Sequence, residues 1–326
     1  MDDIRIPLPA PPIKFLDQLR TFIRIDGKSY ATENTYVYWV KQFILYNHKT
    51  HPEELGPVEI TAFLTHIAIS RNASPNTQKL ALNALMFLYN RFLSKPVGEL
   101  NFKYAKKPAR VPTVFTHEEA MSIINNMTQP YKLMAQLMYG GGLRVSEVLR
   151  LRVKDVDFSM GYIIIRDGKG HKDRTALLPK SIIDDLKNQV AIVQSLLAFD
   201  KARGIGGVYL PHLLEKKYPS AGHSLSWQFL FPSPEISKDP RSNVIRRHHL
   251  YQTTVQVHVK NAIKKANIHK HASCHTFRHS FATRLLQAKY DLKQIQTLMG
   301  HTDIRTTEIY LHVLDELGDR VKSPLD

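Results

Sequence analysis

Residues 101–112, NFKYAKKPARVP, limit the fold more than any other stretch, because two prolines and little apolar periodicity argue against one continuous core running through them. They part a helical N-terminal region from a longer remainder of mixed pattern, and 326 residues are enough for two such domains. We expect a helical domain at 1–100, a linker at 101–112 and a second domain at 113–326. Lys103, Lys106, Lys107 and Arg110 make the linker basic, which suits a segment lying against phosphates while two domains embrace a duplex.

Ahead of the linker, Pro7, Pro9, Pro11 and Pro12 keep the first residues extended, and residues 13–93 read as four helices. Tyr36, Val40, Phe43 and Ile44 share one face, and Ser74 followed by Pro75 marks the start of the last helix. Four helices of this length make a small bundle. Its Lys28, Arg71, Lys79 and Arg91 could meet a nucleic-acid backbone, although each also reads as a solvated surface residue.

Lys and Arg number 45 against 29 Asp and Glu, so 45 minus 29 leaves a net charge of +16. Such a surplus favours a polyanionic partner, nucleic acid before an anionic membrane surface. No apolar run approaches the roughly 18 residues that span a bilayer, and MDDIRIPLPAPPIKF lacks the basic start and apolar centre of a signal peptide. The single cysteine, Cys274, excludes an internal disulfide framework, fits a reducing cytoplasm and reads as a small core residue rather than a catalytic thiol.

In the second domain, Thr116 and Glu119 form a capping box before AMSIINNM. The triple glycine of YGGGLRVSEVLRL lets the backbone turn between two helices, with Arg144 or Ser146 at the start of the second. Arg144 there can reach a phosphate beside the helix dipole, or pair with Glu147. Ile163–Ile165 and Thr175–Leu178 read as a strand pair around a Gly-rich turn, whose Lys169 could enter a groove. Residues 203–251 are rich in Pro, Gly, aromatic and basic residues and too long for an ordinary connection, so they read as an insertion. Trp227, Phe229, Phe231, His248 and His249 offer rings for base stacking, with charge from Arg241, Arg246 and Arg247; packing of an inserted subdomain explains the aromatics equally well. The His248–His249 pair lacks the carboxylate or cysteine spacing of a metal site. Val255, Val259, Ala262 and Ile263 then fall in helical phase.

The chemistry concentrates in HTFRHSFATRLLQAKYDLKQIQTLMGHTDIRTTEIYLH, which starts at His275. His275 and Arg278 share a face of a helix whose apolar positions are Phe277, Phe281 and Leu285. Gly300 suits a left-handed helix end and puts His301 beside that face, while Thr306 or Thr307 could cap a further helix carrying Tyr310. Two Arg forks stabilise charge on non-bridging phosphate oxygens, a Tyr supplies an oxygen nucleophile that needs a base, for which His275 is the candidate, and Lys169 can protonate a departing 5′ oxygen.

GGGLRVSEVLRLRVKDVDF, GKGHKDRTALLP, HTFRHSFAT and LMGHTDIRTTEIYLHVL resemble, in order, the four catalytic segments of the tyrosine recombinases, the phage integrase family. The resemblance implies a mainly α fold with a small β-sheet: a helical, SAM-like core-binding domain followed by a mixed α+β catalytic domain. It implies Arg144, Lys169, His275, Arg278 and His301 as the phosphate-activating set and Tyr310 as nucleophile, with no cofactor and a 3′-phosphotyrosyl intermediate. The insertion is similar to that of the integron integrases, which implies gene-cassette recombination, including at folded single strands, with base contacts at Trp227, Pro240, His248 and His249 helped by Arg246 and Arg247. The implied partners are DNA and three further copies of the chain in a synaptic tetramer in the bacterial cytoplasm, with the tail after Tyr310 packed on a neighbour. A recombinase confined to duplex sites, or a non-catalytic DNA binder of the same fold, are the alternatives.

Overall fold

The computed structural model describes residues 7–98, 100, 112–166, 173–211, 214–239, 242–301 and 303–317. The chain divides into two compact units, one within Met1–Ala109 and one built from Arg110–Asp239 and Asn243–Asp326. The expected linker at 101–112 lies outside the described residues except for its last position.

The first unit is a helical bundle: α1 (Phe15–Ile25), α2 (Tyr30–Tyr46), α3 (Pro57–Ile69) and α4 (Pro75–Phe87), which runs into a π-turn at Leu88–Phe92. Ser29 and Ser74 each accept the backbone N–H three residues on, satisfying a donor the helix cannot, and Pro57 and Pro75 occupy first helical positions where no N–H is needed. Leu19, Ile23, Val40, Phe43, Ile60, Leu64 and Leu85 fill the core, each contributing about 1.5–3 kcal/mol by leaving water. Glu33 of α2 is fully buried in that apolar setting and is reached at 2.9 Å by both Arg20 and Arg24 of α1. Burial alone would raise its pKa, yet the two guanidiniums hold it below the ordinary carboxylate value, so the charge fastens α1 to α2. Lys28 and Arg91 both pair with Asp26, Arg71 meets Gln42, and Lys79 is exposed.

The second unit opens with α5 (His117–Asn125), whose Thr116–Glu119 capping box forms as expected, followed by α6 (Tyr131–Gly140) and α7 (Val145–Arg150). An antiparallel sheet follows in the order β1 (Val156–Asp157), β2 (Tyr162–Ile165), β3 (Arg174–Leu177), with Tyr162 opposite Leu177 and Ile165 opposite Arg174. After α8 (Ile183–Ala202) the insertion carries a short α9 (Leu214–Lys217) and an antiparallel hairpin, β4 (Pro232–Lys238) with β5 (Ile245–His249). Helices α10 (Gln252–Lys265), α11 (Cys274–Gln287), α12 (Leu292–Met299) and α13 (Arg305–Leu317) complete it. Leu137, Met138, Leu143, Val148, Ile163, Val255, Val259 and Phe277 meet in one core, which therefore joins α6, α7, the sheet, α10 and α11.

Three details depart from the sequence reading. The insertion holds a second hairpin, β4 with β5, that the sequence pattern does not announce. The inward positions of β5 are Arg246 and His248, while Ile245 faces solvent, so the apolar alternation that marks a strand is reversed. Helix α13 is opened by Asp303, whose carboxylate accepts the Arg305 N–H at 3.0 Å, and not by Thr306 or Thr307. The residues after Tyr310 continue that helix to Leu317 instead of forming a tail at once.

Candidate active site

The site grows from the glycine turn between α6 and α7. Gly142 has φ +66°, and a Cβ there would lie 2.4 Å from the Phe281 ring, so both conformation and space demand glycine. The turn presents the Gly142 carbonyl to Arg278 of α11, whose guanidinium also donates to the Met299 carbonyl at the end of α12. Arg278 is 4 % exposed and clamped to two backbone segments, so its fork has one direction to point.

Arg144 sits at the N-cap of α7, and Glu147 one turn later reaches back to it. One Glu147 oxygen takes the Arg144 guanidinium at 2.7 Å; the other takes the Arg144 backbone N–H and the Arg174 guanidinium, each at 2.7 Å. Arg278 lies 3.6 Å from the same carboxylate. Burial would raise the Glu147 pKa, but Arg174, the Arg144 N–H and the other guanidiniums bring it below the ordinary value. Among the described residues, three guanidiniums thus share one buried carboxylate. Arg174 also donates to the Leu298 carbonyl at 2.7 Å, and a Cβ on Gly300 would meet its side chain at 2.4 Å.

Gly300 closes α12 at φ +61° and delivers His301 to the pocket, as the sequence led us to expect. His301 Nδ1 meets Thr307 Oγ1 at 2.9 Å, and its Nε2 lies 3.4 Å from Arg278 Nη2. A guanidinium can only donate, so Nε2 is the acceptor and the proton of the neutral ring belongs on Nδ1. Burial, then Arg278, Arg144 and Arg174, push the His301 pKa down to about 4.

Tyr310 lies on α13 with 1 % exposure, packed on Phe281, Ala282, Ile295 and Met299. Its hydroxyl is 2.8 Å from Nδ1 of His279, a residue that the sequence reading passed over although it stands in the same HTFRHSFAT segment. Burial pushes the phenol up to about 12 against the pull of Arg278 and Arg144. His279 is pushed down to about 4 by burial and by His275 and Arg278, so it is neutral near pH 7. His275 stands at the start of α11 on the pocket rim, its pKa lowered by partial burial and by Arg278 and Arg144. Lys169 lies outside the described residues. Cys274 is buried and its thiol is pushed up to about 11, which suits a core residue and not a nucleophile. Among the described residues, no group of three His, Cys, Asp or Glu could hold a metal ion, and no helix is long and apolar enough to cross a membrane.

The insertion residues are arranged differently. Arg246 is buried against Glu215 and lies 3.9 Å from Asp239, and Arg247 makes a two-pronged bond to Asp200 at 2.6 and 2.7 Å. His248 is buried and stacks on Phe229, His249 is half-buried, and Phe231 belongs to the main core. Trp227 is half-buried, with Lys154 Nζ 3.0 Å from its ring centre and the Arg152 guanidinium at 5.4 Å. Arg152 also donates to the Trp227 and Tyr209 carbonyls and lies 4.5 Å over the Phe229 ring, which fixes this aromatic cluster to the segment after α7. Pro240 and Arg241 lie outside the described residues.

Known proteins resemble the chain along most of its length. Residues 113–316 match the Phage integrase family, and residues 15–99 match the phage integrase N-terminal SAM-like domain. The chain is 46 % identical to an integrase/recombinase of Escherichia coli, over 98 % of this chain and 96 % of that one. It is 29 % identical to the tyrosine recombinase XerA of Thermococcus kodakarensis, over 94 % and 93 % of the two chains. Among solved structures, the XerH site-specific recombinase bound to its difH substrate before cleavage shares the fold with a TM-score of 0.61 at 21 % identity, covering 94 % of this chain and 84 % of that one.

Proposed function

We infer, because this chain belongs to the phage integrase family and is a tyrosine recombinase, that it breaks and rejoins DNA at specific sites through Tyr310. The hydroxyl of Tyr310 attacks a backbone phosphorus, a 3′-phosphotyrosyl bond forms, and the 5′ oxygen leaves with a proton from Lys169. Arg144 and Arg278 bind the non-bridging oxygens, where their charge matters more as the pentavalent state gathers negative charge; His275 adds a hydrogen bond, and His301, accepting from Arg278 through Nε2, steadies that fork. The new ester retains the energy of the broken one, so attack by a 5′-hydroxyl reseals the strand. The observation that carries this reading is the burial of Tyr310 between a neutral imidazole and a pocket whose guanidiniums outnumber their carboxylate. A DNA-binding protein without catalysis has no use for that arrangement.

The finer reading is an integron-type enzyme that integrates and excises gene cassettes as a tetramer on DNA, including at folded single strands. Its support is that the described residues of 203–251 carry a hairpin and an aromatic cluster, and that Trp227 and His249 keep accessible surface from which an unpaired base could be met. With Arg246, Arg247 and His248 packed inward, Trp227, His249 and Pro240 are the first candidates for base contact, and the other three act by holding the module's shape.

A substrate nicked beside the cleavage point tests both readings. Covalent protein–DNA adducts that vanish in Tyr310→Phe are expected; binding without adduct would overturn catalysis by Tyr310. Trp227→Ala should depress adducts on folded single strands by about tenfold, the loss of one stacked base, while duplex sites change little. Equal loss on both substrates would leave a duplex recombinase.

A further inference from the structure

The proposed cleavage has to dispose of one proton, that of the Tyr310 hydroxyl. We propose that Nδ1 of His279 takes it, making His279, and not His275, the general base of strand cleavage and the acid that returns the proton on rejoining. This rests on the reading of Tyr310 as nucleophile.

The geometry is specific. Nδ1 lies 2.8 Å from the phenol oxygen, with the two ring centres 5.6 Å apart. In the tautomer with its proton on Nε2, His279 offers a lone pair to the phenol O–H. Among the described residues, the other side chains that act on Tyr310 are poor acceptors. Arg144 and Arg278 have only donors, and the one lone pair of the neutral His301 ring is turned to Arg278. With Tyr310 1 % exposed, bulk water does not reach the hydroxyl to do the work instead. His275 stands one helical turn from His279, towards the N-terminus of α11 and at the exposed rim, where it suits a hydrogen bond to an arriving phosphate.

The step balances without a co-reactant. Tyr310 Oη–P forms and P–O5′ breaks; the phenol proton moves to His279, and Lys169 supplies the proton to O5′. His279 is then an imidazolium for the life of the covalent intermediate, and attack by the 5′-hydroxyl reverses each transfer. The neighbours of His279 make the timing definite. His275 and Arg278 on α11 disfavour its charged form, and it in turn disfavours charge on His301. Transfer before attack is therefore uphill, and the proton moves as Oη bonds to phosphorus and the phosphate brings negative charge among these cations.

The test measures adduct formation on the nicked substrate for His279→Ala and His279→Asn, with DNA binding measured alongside. Both should bind DNA as the parent does and form adduct about 10²-fold more slowly, the lower end of what a positioned base contributes. Asn can accept the hydrogen bond but not the proton, so it separates proton transfer from orientation. The decisive arm repeats the series with Tyr310→3,5-difluorotyrosine, whose more acidic phenol needs a base less. There the His279 deficit should shrink to under about tenfold, whereas the deficit of His275→Ala should stay as it was. A His279→Ala rate within twofold of the parent, full rescue by Asn, or a deficit that the acidic phenol leaves untouched would each overturn the proposal. Should His279→Ala fail to fold, the Asn variant still decides. Absence of any adduct in the parent, or its persistence in Tyr310→Phe, would instead sink the reading of Tyr310 on which this rests.

Discussion

Arg278 and Arg246 are equally buried, at 4 % and 5 % exposure, yet they live in opposite electrostatic settings. In the insertion, charge is matched: Arg246 faces Glu215 and Asp239, and among the described residues Arg247 has Asp200 to itself. In the candidate active site, Arg144, Arg174 and Arg278 share Glu147. Burying a guanidinium is costly, and a matched carboxylate offsets most of that cost, so the insertion charges need nothing further. The surplus in the pocket is left for an anion from outside. A balanced buried cation thus marks architecture, and an unbalanced one marks a ligand.

Substitutions on both sides put that contrast to the test. The largest effect is expected from Glu147→Ala, which leaves three guanidiniums without their shared anion; removing one partner of a buried pair costs about 3–5 kcal/mol, to be read from denaturant unfolding, and added sulfate should recover part of it. If Glu147→Ala were as stable as the parent, the pocket would not be the charge-rich element described. Next comes Arg278→Lys, which keeps charge but loses the fork that spans the Gly142 and Met299 carbonyls. Adduct formation should fall about 10²- to 10³-fold, the cost of one misplaced oxyanion donor, with duplex binding nearly intact. Asp200→Asn is milder, about 1–3 kcal/mol, because Arg247 still donates to the Ser233 and Pro234 carbonyls; adduct yield on duplex sites should not change beyond that stability loss. The smallest effect concerns pH. With His279 and His301 held near 4 against an ordinary 6.5, the unfolded chain binds more protons than the folded one between those values. Stability should therefore fall as pH drops from 6.5 to 4, and the double variant His279→Gln, His301→Gln should show a shallower slope. An unchanged slope would place both rings outside the titration.

How much of this could be read from the chain depended on whether the signal was local. Ser74, Thr116 and Gly300 announce helix ends because a cap is a property of three or four consecutive residues, and these ends form as read. The in-phase positions of α10 and α11 likewise become buried faces. Strand β4 escaped notice because Pro232 and Pro234 disguise it and its partner turns polar side chains inward. The convergence of Arg278, His301 and Tyr310 was expected from helix spacing and the Gly300 helix end, and Arg144 from its place at a helix start and from the family resemblance, whereas the residues that hold them together were not. Glu147 appeared only as one possible surface partner of Arg144, since spacing alone does not reveal that Arg174 arrives from a strand to share it. His279 was missed for a related reason: two histidines one turn apart on α11 look alike until a separate helix shows which of them meets the phenol.

The double use of the Glu147 carboxylate couples two events that are usually distinct. The oxygen that accepts the Arg174 guanidinium also accepts the Arg144 amide, and that amide begins α7. Starting the helix and setting the pocket's charge are therefore coupled through one carboxylate, so loss of the guanidinium cluster should loosen the first turn of α7. Hydrogen exchange at the Arg144 amide should report that loosening, so one backbone proton reads out the readiness of the site.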